Sequence, residues 1–150
     1  MATTPTYPLT TLHFQVTWGD SQNTVSFSEV SGLTLEADAI DYRGGADLGL
    51  SVQKIPGLLK YGPVKFARGI APAAAGNGLF DWYKTHVAGS VVRRDVTVSL
   101  LNEELSPVMV WKLRSAWPSK LEGPGLKGSG NEIAIESMEL VHEGIEIEVL

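Results

Sequence analysis

A chain of 150 residues is one domain's worth of polypeptide, and without a single cysteine it excludes disulfides, thiolate metal sites and cysteine nucleophiles. Twelve Lys and Arg against 17 Asp and Glu leave a net charge of −5, the wrong sign for a protein that coats nucleic acid. No apolar run approaches the roughly 18 residues of a membrane span, and the opening MATTPTYPLTT lacks the basic-then-apolar layout of a signal peptide.

Sixteen glycines and eight prolines imply many turns. Between them the apolar residues mostly recur every second position, the period of a strand with one buried face. Leu12, Phe14, Val16 and Trp18 alternate with His13, Gln15 and Thr17, a clean strand that Gly19-Asp20 breaks. Val25 and Phe27 resume the pattern as far as the turn signal Ser31-Gly32. Leu33, Leu35, Ala37 and Ala39 then alternate with Thr34, Glu36 and Asp38. The stretch from Val25 to Tyr42 therefore reads as a hairpin. Residues 44–63 carry five glycines and two prolines and no sustained period, which suits a long glycine-rich arm. A floppy surface loop would rarely expose Ile55, Leu58, Leu59 and Tyr61 together, so these four are expected to pack on another surface.

Val64, Phe66 and Ile70 predict a short strand, and Asn77 a helix cap. Leu79, Phe80, Tyr83 and Val87 fall at helical spacing, giving one short amphipathic helix that must dock on a sheet to be stable. Val96, Val98 and Leu100 alternate with Asp95, Thr97 and Ser99. After a turn at Asn102-Glu103-Glu104, the segment from Pro107 to Arg114 returns as a partner strand with apolar residues on both faces. Between Asn131 and Val141 the apolar positions change phase, from Ile133 and Ile135 to Met138 and Leu140. That implies a bulge near Ser137 or a crossing between sheets. The tail alternates Ile145, Ile147 and Val149 with Glu146 and Glu148. Seven or eight strands and one helix describe a mainly β domain: two packed antiparallel sheets, a sandwich or barrel, with one short flanking helix.

Chemistry is sparse. His13, His86 and His142 share no metal-ligand spacing. Gly123, Gly125 and Gly128 spell a dinucleotide-like G-x-G-x-x-G, but Pro124 lies inside it and a β-pattern follows, so it is a glycine-rich turn. Glu103-Glu104 and Glu146 with Glu148 read as solvated faces rather than a hydrolase pair. Arg93-Arg94 is too small for a nucleic-acid footprint, and Trp82, Trp111 and Trp117 fit a core or interface. No catalytic residue, cofactor or metal is expected.

The succession of residues nevertheless resembles a known family. The stretches are Phe27-Ser28-Glu29-Val30-Ser31-Gly32-Leu33, Asp41-Tyr42-Arg43-Gly44-Gly45, Lys54-Ile55-Pro56-Gly57, Lys65-Phe66-Ala67-Arg68-Gly69 and Leu79-Phe80-Asp81-Trp82-Tyr83. Arg93-Arg94-Asp95-Val96, Val110-Trp111-Lys112-Leu113, Ala116-Trp117-Pro118 and Asn131-Glu132-Ile133-Ala134-Ile135-Glu136 complete them. Together they look like the tail-tube family of contractile phage tails and the inner-tube proteins of bacterial contractile injection systems. Only Ala67 departs, standing where relatives often carry a bulkier residue.

The resemblance implies a single tail-tube domain, with residues 1–10 as an N-terminal extension and 44–63 as an inter-subunit arm (Ile55, Leu58, Leu59, Tyr61). It implies homo-hexameric rings whose sheets join into a barrel, stacked into a tube. The partners would be a sheath protein, a baseplate or hub, tube-terminating proteins, and cargo or a tape-measure protein in the lumen. The particle would be assembled in the bacterial cytoplasm and then released or membrane-docked. Six chains at −5 carry −30 per ring. The polar faces Thr34, Glu36, Asp38 and Asp95, Thr97, Ser99 are candidates for a lumen that repels acidic cargo. Two alternatives remain from the sequence: the secreted ring-forming tube protein of a type VI secretion system, and a monomeric carbohydrate-binding β-sandwich.

Overall fold

The computed structural model describes residues 7–18, 24–25, 27–46, 49–70 and 78–150. The expected break at Gly19-Asp20, the Asn77 cap and the first six residues of the N-terminal extension lie outside them. The strands are β1 (Phe14–Trp18), β2 (Thr24–Val25), β3 (Glu29–Ser31), β4 (Glu36–Tyr42), β5 (Gln53–Lys60), β6 (Val64–Gly69), β7 (Arg94–Leu101), β8 (Pro107–Glu122), β9 (Ile135–Val141) and β10 (Gly144–Val149). The helix α1 (Gly78–Val87) falls between β6 and β7.

The expected two-sheet architecture is present, and β8 is its joint. Its 16 residues would reach about 50 Å if straight. The first half lies between β7 and β10; the second pairs with β9, which continues to β6 and β3. The bend has a definable cause. Register passes from Val96 opposite Leu113 to Arg94 opposite Ala116, so Arg114 and Ser115 together face Asp95. This is a β-bulge, with Ser115 in the left-handed region at φ 49°. The Asp95 carboxylate accepts the Ser115 N–H at 3.0 Å and satisfies a donor that the ladder has lost.

One layer is thus β2-β1-β7-β8-β10 and the other β8-β9-β6-β3. Val16, Val96 and Leu113 from the first meet Val64, Phe66, Met138 and Leu140 from the second, all at 0% exposure. Trp18, Phe27, Phe66 and Trp82 are linked by ring contacts of 5.2–5.9 Å. The helix docks through Trp82, whose indole N–H donates to the Val92 carbonyl at 2.7 Å and whose ring faces the Arg94 guanidinium.

Several expectations need correction. The segments on either side of Ser31-Gly32 are strands, but they do not pair with each other: β3 pairs with β6, and β4 with β5. Gly32 (φ +89°) turns the chain out of the sandwich, where a Cβ would sit 2.4 Å from the Pro63 carbonyl oxygen. The segment 44–63, expected without sustained period, contains the eight-residue strand β5. The apolar phase change is neither a bulge at Ser137 nor a crossing between sheets: Ile133 and Ile135 simply lie off the core face that Met138 and Leu140 fill. β9 pairs with β6 without interruption through Ser137, Ile133 and Ile135 are exposed, and the chain crosses layers at His142-Glu143. The helix also turns a different face inward. Phe80 and Val87 are exposed while Trp82 is buried, since the indole brings a large apolar ring and its N–H meets the Val92 carbonyl.

Candidate assembly interface

β4 and β5 form a two-stranded sheet of their own. Two cross-strand ion pairs hold it, Lys60–Asp38 at 3.0 Å and Lys54–Asp41, both solvent-exposed and each worth at most about 1 kcal/mol. β5 carries an extra residue opposite Asp38, where Gly57 approaches the Asp38 carbonyl too closely for an ordinary side chain. Pro56 is tolerated because a two-stranded sheet is all edge.

The hairpin exposes what a lone chain would bury. Leu58 and Leu59 are 76% and 69% exposed, and Ile40, Tyr42 and Ile55 are exposed too. Register and alternation place Glu36, Asp38, Ile40 and Tyr42 on one face, with Ile55 opposite Ile40. That face is polar near the hairpin's base and apolar toward its tip. Leu59 belongs to the other face, beside Ala37. Of the four residues expected in the arm, Ile55, Leu58 and Leu59 share this hairpin. Tyr61 does not: it sits at the base, half-buried against the core with its ring 5.6 Å from that of His142.

The two candidate lumen faces lie on separate sheets. Glu36 and Asp38 are on the hairpin, with Thr34 in the turn before it. Asp95, Thr97 and Ser99 belong to β7, in the middle of the first layer, on its outer face. There Thr97 lies between Thr17 and Lys112, and Lys112 lies between Thr97 and Glu146. Lys112 bonds Glu148 at 2.8 Å, and that hydrogen bond, then the charge of Glu148, holds its ammonium above the ordinary lysine range. Lys112, Glu146 and Glu148 were legible only as alternation; their union with β7 needed the pairing of β8 and β10.

At the turn end of the first layer the sandwich gapes. A groove of about 370 Å³ opens between Phe14, Leu100 and Trp111 on one side and Val30 and Leu33 on the other. The β7–β8 turn beside it exposes Leu105 at φ 62°, with the Asn102 carboxamide oxygen accepting the N–H groups of Glu104 and Ser106.

Among the described residues no group of three or more His, Asp or Glu could hold a metal ion, and no helix is long and apolar enough to cross a membrane. A family model described as T4-like virus tail tube protein gp19 matches residues 10–146. A search of curated proteins found no match. Among solved structures, the chain is similar to one in the sheath-tube complex of an extracellular contractile injection system (PVC) in its extended state. Identity is 28% over 97% of this chain and 94% of that one, with a TM-score of 0.86. It is likewise similar to a chain of the anti-feeding prophage cap, a tube-terminating cap, with 28% identity over 100% and 97% of the two chains and a TM-score of 0.87. Hcp1 from Flavobacterium johnsoniae, at 12% identity over 89% and 93% and a TM-score of 0.56, shares the fold.

Proposed function

The chain belongs to the T4-like virus tail tube protein gp19 family, and from that membership we propose the assembly in which it works. It is a structural tube subunit, and its 28%-identical neighbours are chains of contractile injection particles. The proposal is that six copies close a ring, that rings stack into a channel, and that the subunit performs no catalysis of its own.

The observation that carries this reading is the projecting β4–β5 hairpin, whose Leu58 and Leu59 are 76% and 69% exposed. Ile55, Leu58 and Leu59 form the inter-subunit arm, with Tyr61 anchoring its base. The open apolar groove by Phe14 and Trp111 suits a segment of a neighbouring copy. The free edges of β2 and β10 invite sheet-to-sheet closure between copies, which would remove an aggregation liability.

In this reading Asp95, Thr97 and Ser99, with Lys112 and Glu146 beside them, line the channel, and Thr34, Glu36 and Asp38 lie at its rim. Ion pairs on these faces, Lys112 with Glu148 and Lys60 with Asp38, moderate the repulsion that −30 per ring would otherwise impose on acidic cargo. A sheath outside the tube and a cap at its end are the proposed partners by analogy with the neighbours, and a baseplate is proposed from the family resemblance. Cargo or a tape-measure protein would occupy the lumen of a particle assembled in the bacterial cytoplasm.

Negative-stain electron microscopy over a concentration series tests the reading. Rings or stacked tubes with a central channel are expected. A chain that stays monomeric even with its baseplate partner present would overturn it.

A further inference from the structure

The root of the β4–β5 hairpin is pinned. A Cβ on Gly32 would sit 2.4 Å from the Pro63 carbonyl oxygen, and one on Gly62 would lie 3.0 Å from the Thr34 hydroxyl, so the two linkers press on each other. From the body of the fold, His142 donates through Nε2 to the Gly62 carbonyl at 3.1 Å. Beyond this root every residue of β4 and β5 is exposed or half-buried, so the hairpin projects instead of lying on its own sandwich. Lys60 pairs with Asp38 and Lys54 with Asp41 across the hairpin, which leaves Ile55, Leu58 and Leu59 as what it offers a neighbour.

A second exposed apolar surface lies at the opposite end of the same layer. β6 begins beside the arm's root at Val64 and ends at Gly69, about 17 Å away at 3.4 Å per residue. There Gly69 pairs with Ile135, and the Ile70 N–H donates to the Ala134 carbonyl at 2.9 Å. Ile133 reaches across Gly69, where an added Cβ would lie 3.5 Å from its Cγ2. Ile133 is 79% exposed, and Ile70 and Ile135 are exposed beside it. The core does not account for these three. One residue inward, Arg68 and Glu136 form an ion pair at 2.8 Å that closes the end of the core and sets the isoleucines apart from Phe66 and Met138.

An exposed apolar cluster marks a contact surface, and this chain carries one at each end of β6. Because the arm leaves its pinned root at the far end, the two do not meet within one chain. Two copies joined arm to arm would close as a twofold dimer and leave the isoleucines in water. A second copy placed head to tail covers both surfaces at once, and it leaves one free arm and one free isoleucine surface for the next copy. We propose that the hairpin of one copy docks on the Ile70, Ile133 and Ile135 surface of a second copy, head to tail. This docking rests on the tube reading and supplies the surface that receives the arm.

A chain without cysteine allows the contact to be trapped by cross-linking. Leu58→Cys and Ile133→Cys, both at exposed positions, are purified separately, mixed in equal amounts under conditions where the native chain forms tubes, and treated with a short bis-maleimide. The expected product is a covalent dimer in the mixture whose linked peptides join residue 58 of one variant to residue 133 of the other, with little or none from either variant alone. Ile133→Asp in the otherwise native chain should keep the melting temperature and lose about 100-fold or more in association. Tubes that form without the mixed dimer would overturn the docking and leave the tube reading standing. So would Leu58→Cys linking to itself as readily as to Ile133→Cys, or normal tubes from Ile133→Asp. A native chain that stays monomeric even with its baseplate partner would overturn both.

Discussion

Replacing Leu59 by Asp separates the fold from the assembly. Leu59 lies on the hairpin beside Ala37, 69% exposed, so a carboxylate there meets water and disturbs no core contact. Exposed substitutions of this kind change stability by about 0.5 kcal/mol or less. Full burial of a leucine is worth about 1.5–3 kcal/mol, of which roughly two-thirds is still to be gained on association, or about 1–2 kcal/mol. An unpaired carboxylate in the same pocket adds a desolvation penalty of about 2 kcal/mol or more. The sum, about 3–4 kcal/mol per contact, is a 10²- to 10³-fold loss of association at about 1.4 kcal/mol per factor of ten. Leu58→Asp, at the bulge, is expected to behave alike. The assay pairs thermal unfolding of the dilute chain with sedimentation velocity at concentrations where the native chain forms rings or tubes. An unchanged melting temperature with assembly abolished is expected. Normal tubes from either variant, or a melting temperature lowered by many degrees, would refute an apolar arm that waits for a neighbour.

Three further outcomes follow from the arm's attachment and the sheet bend. Gly32→Ala forces a side chain into a left-handed conformation 2.4 Å from a backbone oxygen, and should cost about 2 kcal/mol or more, read as a drop of several degrees by calorimetry. Asp95→Ala leaves the Ser115 N–H without its acceptor; a loss of about 1 kcal/mol in urea unfolding is expected, with Asp95→Asn milder because its amide oxygen still accepts. Burial lowers the pKa of His142, so the unfolded chain binds a proton more readily than the folded one. The stability it contributes is therefore intact above the ordinary histidine value and is lost as pH falls through the folded value. Urea midpoints should decline across that window in the native chain and less in His142→Gln.

Local alternation marked β1, β6 and β7 because each shows one face to the core along an uninterrupted strand; β10 has the same alternation, but of its alternating apolar residues only Ile145 is buried while Ile147 and Val149 are exposed. Pairing was less legible, since it is decided by tertiary partners. β3 and β4 follow each other through a turn signal, yet Gly32 sends them to different sheets, and nothing in residues 25–42 distinguishes that turn from a hairpin's. β5 went unseen as a strand because Pro56 and Gly57 interrupt its period, which an edge tolerates and a central strand would not. In α1 the sequence offered two apolar stripes about 100° apart, and the choice fell to Trp82, whose indole N–H had a carbonyl to meet at Val92. The apolar character of the arm was visible, as Leu58 and Leu59 show, because no packing inside the chain explained it. Thr97 was visible as polar, but its neighbours Lys112 and Glu146 come from strands distant in sequence.

Three of the positions that break local rules lie together, apart from Leu105 in the β7–β8 turn. Gly32 with its positive φ, Ser115 in the left-handed region and His142 with its unpartnered nitrogen converge on the region where the hairpin leaves the sandwich. Ser115 lies in the bulge that bends β8. Arg114, its partner there, accepts the Glu143 N–H at 2.9 Å through its carbonyl, and Glu143 follows the histidine that bonds Gly62. The bend in the long strand, the crossing between layers and the arm's root therefore form one connected set of backbone contacts. The rest of the sandwich needs none of these irregularities to bury its valines and leucines. What they accomplish together is to aim an exposed apolar hairpin at a set angle, and a fixed angle has value only if another molecule stands at the far end of it.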